Sequence, residues 1–311
     1  MVQVSVIIPA YNRPDLLKAC LNALVKQSAS KESFEVIVVA KNNVVLNVAR
    51  EFSRSGKNFF VYESITDSPS NKRNIGLSKA KGEIVAFTDD DCIPDKKWIA
   101  SILSEFSRDS SIVLVEGLTY TSGTRAVFSN APENLTGGKF PTCNLSFRKK
   151  DLKHAEGFDE NYYFYREDTD AAFSVLKYGT NIFSKKVRVF HPQRPINPIS
   201  LLKYLFLIKC DFRLLKKYPW EYAKFIGFPL KSDFLRSGIT LFALISLIYF
   251  IYFSVSIAVV IPIIYLLIRF FSLRKYVFHP IEWVVFILLS IIKDLAFPAF
   301  VVVYFLRYYL L

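Results

Sequence analysis

Three consecutive acids follow an apolar run in the segment IVAFTDDDCIPDKKW, which extends from Ile84 to Trp98. They are Asp89, Asp90 and Asp91, in a chain of 311 residues whose net charge is +13. Two carboxylates ~5 Å apart repel by about 3 kcal/mol at an effective dielectric constant near ~20, so the cluster favours a nearby cation. A divalent metal ion bound to a phosphate-bearing ligand would supply one. Taken alone, the acids fit a solvated loop before a helix N-terminus equally well.

The segments around the acids alternate between strand and helix patterns. Apolar runs rich in β-branched residues predict strands at 3–9, 34–40, 58–64 and 83–88. Apolar residues at helical spacing predict helices at 14–28, 45–53 and 71–82, the last of them closed by Gly82. This alternation predicts an α/β fold with a mostly parallel sheet covered on both faces. Ligands bind such sheets beyond the carboxyl ends of the strands, where the acids lie, and this position favours the metal site.

The C-terminal third has the composition of a membrane region. The stretch 239–268 contains thirty residues without a charge, which as one helix would be ~45 Å long against a hydrocarbon core of ~30 Å. Pro262 interrupts it. We therefore prefer two short spans that turn near Ser254 and Ser256, because this arrangement returns the basic residues that follow (Arg269, Arg274 and Lys275) to the cytosol.

A further apolar stretch at 283–306 predicts another span, interrupted by Lys293 and Asp294. An ion pair at that depth is costly unless it faces protein or water, so it marks either a re-entrant break or a polar contact between helices. The total prediction is three spans, with two or four as alternatives.

A basic segment precedes the apolar region. Between Lys203 and Arg236 the chain has eight Lys or Arg residues against three acids, interleaved with aromatic residues. This pattern predicts an interfacial segment attracted to anionic headgroups, the alternative being a solvated helix face. We thus expect a catalytic domain at 1–198, an interfacial segment at 199–236 and a transmembrane region at 237–311. Nucleic acid is not an expected partner, because acids occupy the predicted groove.

The cysteines and the first residues of the sequence favour a reducing environment. The four cysteines (Cys20, Cys92, Cys143 and Cys210) show no paired spacing, which argues against a disulfide framework or a zinc knuckle. The sequence begins with a strand pattern and shows no signal-peptide pattern. We therefore expect a multi-pass cell-membrane protein with a cytoplasmic catalytic domain.

Three segments together carry a resemblance to a known family. VSVIIPAYNRPDLLKACLNAL, SNKRNIGLSKAKGEIVAFTDDDCIP and TCNLSFRKKDLKHAEGFDENYYFYREDTDAAFSVLKYG, in that order, resemble family 2 glycosyltransferases of the GT-A fold. The likeness covers about residues 2–195. It implies a nucleotide-sugar-binding domain, and three motifs in order make it far more specific than an isolated DxD.

The resemblance implies roles for the acids. Asp89 and Asp91 match the ends of the DxD motif that binds the nucleotide diphosphate through Mn²⁺ or Mg²⁺, and Asp90 lies between them. Asp91 is the expected direct metal ligand. His191 matches a histidine that completes the metal site in some relatives, although a histidine at a strand end is as often a capped surface residue.

Other positions match the nucleotide pocket and the acceptor side. The nucleotide pocket is implied to include Pro9, Tyr11, Asn12, Arg73 and Asn74. Asn144 matches a strand-edge residue near the sugar and acceptor, and Glu167 and Asp168 match the acceptor-side acids. The chain departs from the family after the second strand, where VVAKNN replaces acids that recognise the base. Asn42 could still bind a base edge, and the choice between UDP- and GDP-linked donors stays open.

Asp168 is the candidate base. Deprotonating an acceptor hydroxyl needs a carboxylate whose pKa is raised towards working pH. A helix N-terminus would lower the pKa of Asp168, whereas neighbouring Glu167 and Asp170 would raise it. The alternative is helix capping by Asp168 or Thr169. One base acting opposite the leaving group predicts inversion at the anomeric carbon.

The membrane region narrows the expected acceptor, because a lipid-linked acceptor must be met at the bilayer surface. We therefore predict metal-dependent transfer of a sugar to a polyprenyl- or dolichyl-linked glycan. One rival is a polyprenyl-phosphate sugar synthase, whose phosphate acceptor needs no base. Another is a catalytically silent membrane scaffold, against which the intact DxD argues.

Overall fold

The computed structural model describes residues 1–130, 132–162, 164–226, 231–253, 260–273, 276–277 and 280–310. The chain forms two compact units. Unit 1 comprises Met1–Thr121 and Pro132–Pro192, and unit 2 comprises Ser122–Ala131 and Gln193–Leu311. The division after Pro192 lies near the predicted domain boundary at 198. The segment 122–131 belongs to unit 2, although the chain on either side of it belongs to unit 1. This assignment was not predicted, because the composition of the segment resembles that of the flanking chain.

The structure describes twelve strands, and the first four agree closely with the predicted apolar runs. The strands are β1 (Val4–Pro9), β2 (Phe34–Ala40), β3 (Phe59–Glu63), β4 (Ile84–Phe87), β5 (Ile93–Pro94), β6 (Ile112–Tyr120), β7 (Arg125–Ala126), β8 (Ser129–Asn130), β9 (Leu145–Arg148), β10 (Thr180–Phe190), β11 (Arg194–Pro195) and β12 (Tyr276–Val277). Eight of them form the sheet of unit 1 in the order β3-β2-β1-β4-β9-β6-β10-β5. Two two-stranded pairs, β11-β8 and β12-β7, belong to unit 2.

The sheet is mostly parallel, as predicted, and this confirms the α/β fold class. Strands β3, β2, β1 and β4 run parallel, and β10 is parallel to β6. Strand β9 is antiparallel to both β4 and β6, and β5 is antiparallel to β10. In β1 and β4, Ile7 pairs with Phe87, so the two strands end side by side. The residues that follow them, AYN and TDDD, therefore meet at one edge.

Helices cover the sheet of unit 1. They are α1 (Pro14–Val25), α2 (Asn43–Ser55), α3 (Pro69–Lys79), α4 (Trp98–Arg108), α5 (Lys149–His154) and α6 (Glu167–Val175), with a 3₁₀ turn at Thr142–Asn144. Helix α1 buries its apolar stripe of Leu17, Cys20, Leu21 and Leu24 in the core. This matches the predicted spacing.

The prediction that Gly82 closes the third helix is wrong. Helix α3 ends at Lys79, and Ala80 is its C-cap. Gly82 instead lies against the start of β1, where a Cβ atom would be 2.7 Å from the Ser5 amide nitrogen. The glycine is needed for close backbone approach and not for helix termination.

A buried carboxylate fixes the loop that carries Gly137 and Gly138. Both glycines have positive φ, and the Glu116 carboxylate accepts hydrogen bonds from the amides of Gly138 (3.0 Å), Lys139 (3.1 Å) and Phe140 (2.9 Å). Glu116 is fully buried. Three backbone donors on one buried carboxylate indicate a fixed turn, so of the two roles open to this Gly-Gly pair, hinge or turn, the structure supports the turn.

Unit 2 is mainly helical. Its helices are α7 (Ser200–Lys217), α8 (Pro219–Phe225), α9 (Lys231–Phe253), α10 (Val260–Leu273) and α11 (Pro280–Phe305), followed by a π-helical turn at Leu306–Leu310. One face of α7 packs on α11 through Leu205, Ile208 and Phe212 against Phe297 and Tyr304. The apolar face of the predicted interfacial segment is therefore used inside the unit. Phe206 of α7 is partly exposed at the edge of this contact, with its ring centre 5.1 Å from that of Phe300, and Trp220 of α8 is exposed.

Within the described residues, one helix is long and apolar enough to cross a membrane: the 29-residue stretch Ile281–Tyr309. The apolar part of α9 is shorter, at Leu235–Ile248. The prediction of three spans is thus not confirmed. Helices α9 and α10 are separate, with Pro262 in the first turn of α10. The predicted turn at Ser254 and Ser256 lies outside the described residues, as do Arg274 and Lys275.

The Lys293–Asp294 pair makes a polar contact between helices, and α11 continues through it without a break. Asp294 is buried and accepts a hydrogen bond from the Thr240 hydroxyl of α9 at 3.2 Å. The Tyr265 hydroxyl of α10 lies 3.2 Å from the same Thr240 oxygen. Of the two interpretations of this ion pair, the structure supports the polar contact and not the re-entrant break.

The loop anchored by Glu116 gives a stability test. We expect Glu116→Gln to lower the free energy of unfolding by about 2–4 kcal/mol, because an amide NH₂ would then face backbone donors inside the protein. The exposed Glu83→Gln should change it by less than about 0.5 kcal/mol. Thermal unfolding of the detergent-solubilised protein measures both. Equal melting temperatures for the two variants would contradict the anchoring role.

Candidate active site

The three acids lie where β4 ends, beside the turn that follows β1. Asp90 and Asp91 are buried, whereas the side chain of Asp89 is 28% exposed. The backbone N–H of Tyr11 donates to Asp90 at 2.7 Å, which joins the two strand ends directly. Parallel pairing of β1 with β4 therefore produces the predicted meeting of the AYN turn and the acids.

Arg13, just before α1, neutralises two of the acids. Its guanidinium donates to Asp91 Oδ2 at 2.6 Å and also contacts Asp90 Oδ1. Burial raises the pKa of Asp90 to about 6, against the opposing effects of Arg13 and of the Tyr11 amide. No role was predicted for Arg13, although it lies in the AYNRP sequence that follows β1.

Asp91 and His191 form a pair suited to a divalent cation. Both side chains are buried, and His191 Nε2 lies 3.6 Å from Asp91 Oδ1. His191 Nδ1 is 2.9 Å from the Pro192 carbonyl oxygen, which can only accept, so Nδ1 carries the proton. In this neutral tautomer, Nε2 carries a lone pair directed towards a carboxylate oxygen of Asp91.

Two facing acceptors require a cation or a proton between them, and a carboxylate with an imidazole is a donor set that Mn²⁺ accepts. Neighbouring Cys92 Sγ is 3.8 Å from Asp91 Oδ1. Burial, followed by the nearby Cys143 and acidic side chains, raises the pKa of the Cys92 thiol. Thiolates are also not ligands that Mg²⁺ or Mn²⁺ prefers. The residues present therefore fit a divalent ion held by Asp91 and His191.

Arg73 connects the acids after β4 to the acids of α6. Its buried guanidinium lies 3.0 Å from Glu167 and 3.4 Å from Asp89. Burial opposes the charge, but the carboxylates of Glu167 and Asp89 together raise the pKa of Arg73. The predicted residues Arg73, Asp89 and Glu167 are thus brought into one cluster.

Asp168 lies in the first turn of α6. The helix is preceded by Arg166, a non-glycine residue with φ of 72°, a conformation that concentrates at functional sites. Asp168 Oδ1 accepts from the Thr169 amide at 2.7 Å. The N-cap is Arg166, so neither Asp168 nor Thr169 occupies the capping position.

The pKa of Asp168 is raised to about 7. Burial is the main cause and the Glu167 carboxylate the second, while Arg73 and the Thr169 amide act in the opposite direction. Of the two opposing influences weighed from the sequence, lowering by the helix N-terminus and raising by neighbouring acids, the net shift of the pKa is upward. The predicted cause is only partly right, because burial dominates and Asp170 is not among the main causes. A carboxylate with this pKa can accept a proton near neutral pH.

Of the other residues predicted to bind the nucleotide, three lie beside the acids and one caps a helix. Pro9 ends β1, and Tyr11 and Asn12 are exposed in the turn beside the acids, as the prediction requires. Asn42 caps α2, its side chain accepting from the Val44 amide at 2.8 Å. The predicted contact of Asn42 with a base edge stays a prediction.

Asn74 anchors the chain around Phe158. Its side-chain amide donates to the Phe158 carbonyl at 2.8 Å and to Glu160 at 3.0 Å, and its oxygen accepts from the Phe158 amide. Its predicted place in the nucleotide pocket stays a prediction. Lys72, from the same motif, is buried and donates to the Ala10 carbonyl at 2.9 Å. It supports the AYN turn from α3.

Asn144 is likewise a structural residue. It is fully buried, accepts from Trp98 Nε1 at 2.8 Å and donates to the carbonyls of Leu118 and Val187 at 3.0 Å each. A Cβ atom at Gly117 would collide with it. Its hydrogen-bonding groups are used inside unit 1, and its predicted place near the sugar and acceptor stays a prediction.

The model of glycosyl transferase family 2 matches residues 5–161, half of the 311-residue chain. The chain belongs to this family. It is therefore a glycosyltransferase, and its mostly parallel sheet is the GT-A-like fold that the sequence motifs implied.

Two relatives and one solved structure extend the match. Glycosyltransferase AglE of Haloferax volcanii is 30% identical over 225 residues, 66% of this chain and 71% of that protein. The Campylobacter jejuni GalNAc(5)-diNAcBac-PP-undecaprenol beta-1,3-glucosyltransferase is 32% identical over 97 residues, 29% of this chain and 30% of that enzyme.

The structure of mannosyltransferase PcManGT from Pyrobaculum calidifontis, in complex with GDP-Man and Mn²⁺, shares the fold. The TM-score is 0.55 at 16% identity, over 68% of this chain and 63% of that one. At this identity the likeness concerns the fold alone.

The acidity of Asp168 predicts the pH profile of this family 2 enzyme. A base must be deprotonated, so kcat should fall about tenfold per pH unit below a pH of about 7 and level off above it. Glu167→Gln should move the inflection to lower pH, because it removes a charge that raises the pKa of Asp168. Glu83→Gln is the matched control and should leave the inflection in place. An inflection that Glu167→Gln does not move would exclude Asp168 as the titrating base.

The Asp91–His191 pair predicts the pattern of metal binding. Asp91→Asn and His191→Gln should each weaken Mn²⁺ binding by at least roughly tenfold, because each removes a ligand. Asp89→Asn should weaken it less, since Asp89 faces Arg73. Electron paramagnetic resonance of free Mn²⁺ measures all three, with exposed Asp15→Asn as control. If Asp91→Asn binds Mn²⁺ as the control does, the assignment fails.

Proposed function

We propose that this family 2 enzyme transfers a sugar, with inversion, from a nucleotide-sugar to a hydroxyl group of a lipid-linked acceptor. The observation that carries the proposal is the arginine bridge in unit 1. Arg73 contacts Asp89 on the donor side and Glu167 on the acceptor side, next to an Asp168 whose pKa is about 7. A leaving-group site and a base are thereby joined by one side chain.

The donor side is suited to a nucleoside diphosphate. A divalent cation held by Asp91 and His191 would neutralise charge on the departing diphosphate. Tyr11 and Asn12, exposed in the turn beside Asp90, are placed for the nucleoside. The GDP-Man and Mn²⁺ of the Pyrobaculum structure support both ligand classes. A comparison of labelled UDP- and GDP-sugars distinguishes recognition of uracil from recognition of guanine.

The acceptor side performs the proton transfer. Asp168 takes the proton of the acceptor hydroxyl as its oxygen bonds to the anomeric carbon, and the bond from that carbon to the diphosphate oxygen breaks with its electron pair. Burial of Asp168 favours its neutral form, and this makes it a stronger proton acceptor than an exposed aspartate. Glu167 keeps Arg73 in place and raises the pKa of Asp168.

Unit 2 supports an acceptor in a membrane. Helix α11 exposes Val284, Leu288, Ile292 and Leu295 at spacings of four and three, an apolar stripe on the one described helix of span length. Trp220 and Phe206 are exposed in the preceding basic segment, as in interfacial anchors. The excess of Lys and Arg between 203 and 236 favours the cytosolic side for that segment.

The Campylobacter relative, named for an undecaprenol-linked acceptor, agrees with this assignment. A phosphate acceptor is the competing possibility, because it is already ionised and requires no base. The raised pKa of Asp168 favours the hydroxyl, since it supplies the proton acceptor that only a hydroxyl needs.

The deciding experiment incubates purified protein with labelled UDP- and GDP-sugars and a membrane lipid extract, with and without Mn²⁺. We expect Mn²⁺-dependent label in the organic phase and a roughly 10²- to 10⁴-fold lower kcat for Asp168→Asn. Asp15→Asn is the control on an exposed aspartate. Label found only in water-soluble products would exclude the lipid acceptor. Near-normal transfer by Asp168→Asn would indicate a phosphate acceptor instead.

A further inference from the structure

Unit 2 contains a cavity of about 450 Å³ that the proposed chemistry does not use. Its size falls within the range of small-molecule sites. It is lined by Val127, Phe128, Ile196, Pro198, Ser200, Leu201, Tyr204, Arg236, Phe286 and Lys293. The cavity is thus built from five parts of unit 2: the segment 122–131, the residues just before α7, the start of α7, α9 and α11.

The charges of the cavity have one sign. Arg236 of α9 and Lys293 of α11 are cationic, and none of the ten described lining residues is acidic. The Lys293 side chain is only 13% exposed, with Nζ 5.2 Å from the centre of the Tyr204 ring and 3.9 Å from Asp294 Oδ1. Asp294 also accepts from Thr240, outside the cavity wall. Two cations beside an apolar space favour an anionic ligand.

The rest of the wall is apolar. Six of the lining residues are aliphatic or phenyl side chains or proline, and Tyr204 presents its ring to Lys293. Free inorganic phosphate would gain nothing from such a wall, and a neutral lipid would gain nothing from the two cations. A hydrocarbon chain that ends in a phosphate satisfies both parts.

The position of the cavity on α11 fits a ligand that arrives from a bilayer. Phe286 and Lys293 are seven residues apart and so lie on one face of the helix. This is the helix of span length, and Lys293 lies ~18 Å along it from Ile281 at 1.5 Å per residue. A cation at that depth is costly unless it meets protein, water or an opposite charge. Asp294 already lies beside Lys293, and a lipid phosphate would add a second negative charge on the cavity side.

We propose that this cavity binds the phosphate and the first carbons of the lipid chain of the acceptor, with Arg236 and Lys293 on the phosphate. The assignment of this lipid as the acceptor rests on the proposed function. The site concerns unit 2 alone, and its ligand is defined by chemistry: a phosphate- or diphosphate-bearing long-chain lipid.

Binding is tested with the full chain in phosphatidylcholine nanodiscs and farnesyl phosphate as probe, by native mass spectrometry. We expect Arg236→Met and Lys293→Met each to weaken binding by roughly tenfold or more, whereas Arg307→Met, which removes an exposed cation of the same unit, should not. Phe286→Trp, which keeps both charges and fills the cavity, should weaken it as well. Thermal unfolding confirms that each variant is folded.

Three further results decide the assignment. A photoactivatable farnesyl phosphate should label the peptide that contains Phe286 and Lys293, and farnesol should bind far more weakly. Labelling confined to other peptides, or unchanged binding by folded Lys293→Met, would overturn the site. Inorganic phosphate that competes as well as farnesyl phosphate would show a simple anion site and would overturn it too.

Failure of this site and failure of the proposed function are separable. Asp168→Asn should abolish transfer and leave farnesyl phosphate binding unchanged, whereas Lys293→Met should raise the KM for the lipid acceptor with little change in kcat. Lipid binding without any sugar transfer to lipid would refute the proposed function and leave the cavity as a lipid site. Transfer with an unchanged KM in Lys293→Met would show that the bound lipid is not the acceptor.

Discussion

The site of unit 1 depends on the two ion pairs that the buried guanidinium of Arg73 makes. This guanidinium lies between Asp89, after β4, and Glu167, at the start of α6, and so joins segments that are far apart in the sequence. Without it, Asp89, Glu167 and Asp168 would repel one another where little water screens them. Burial of such a group is itself costly, so the bridge contributes a fixed geometry more than net stability. The fixed positions of Glu167 and Arg73, together with burial, determine the proton affinity of Asp168.

The same constraint explains why a basic chain gathers three acids in a row. Successive residues of a turn point in different directions, so the three carboxylates do not all share one cation. Asp89 faces Arg73 of α3, whereas Asp90 and Asp91 face Arg13, whose side chain is 24% exposed against 5% for Arg73. Asp91 also faces His191. The repulsion expected from the sequence is thus relieved from two sides by residues that the parallel strand order brings to one edge.

The first four strands could be predicted because a strand buried on both faces is a nearly continuous apolar run. Strand β2 occupies the predicted residues 34–40, with Glu35 as its one polar residue. The hydrogen-bonding partners of individual polar side chains could not be predicted in this way. Asn74 and Asn144 have the amides of ligand-binding residues, yet they bind Phe158 and Trp98, which lie 84 and 46 positions away in the chain. Arg13 was missed for the same reason. Its partners are 77 and 78 positions away, and only the pairing of β1 with β4 brings them near.

In unit 2, hydropathy could not predict which helix faces are covered. It measures the composition of a segment and not what the segment packs against. Helix α7 was expected to offer its apolar face to a bilayer, but that face lies on α11. On α11 the residues Ile287, Ser290, Asp294 and Phe297 are buried, while the stripe at 284, 288, 292 and 295 stays exposed. The two stripes have similar spacing and differ only in their neighbours. Which surface of α11 stays exposed is therefore settled when α7 and α9 have covered their sides of α11, and it is a property of the folded unit that the composition of a single helix does not contain.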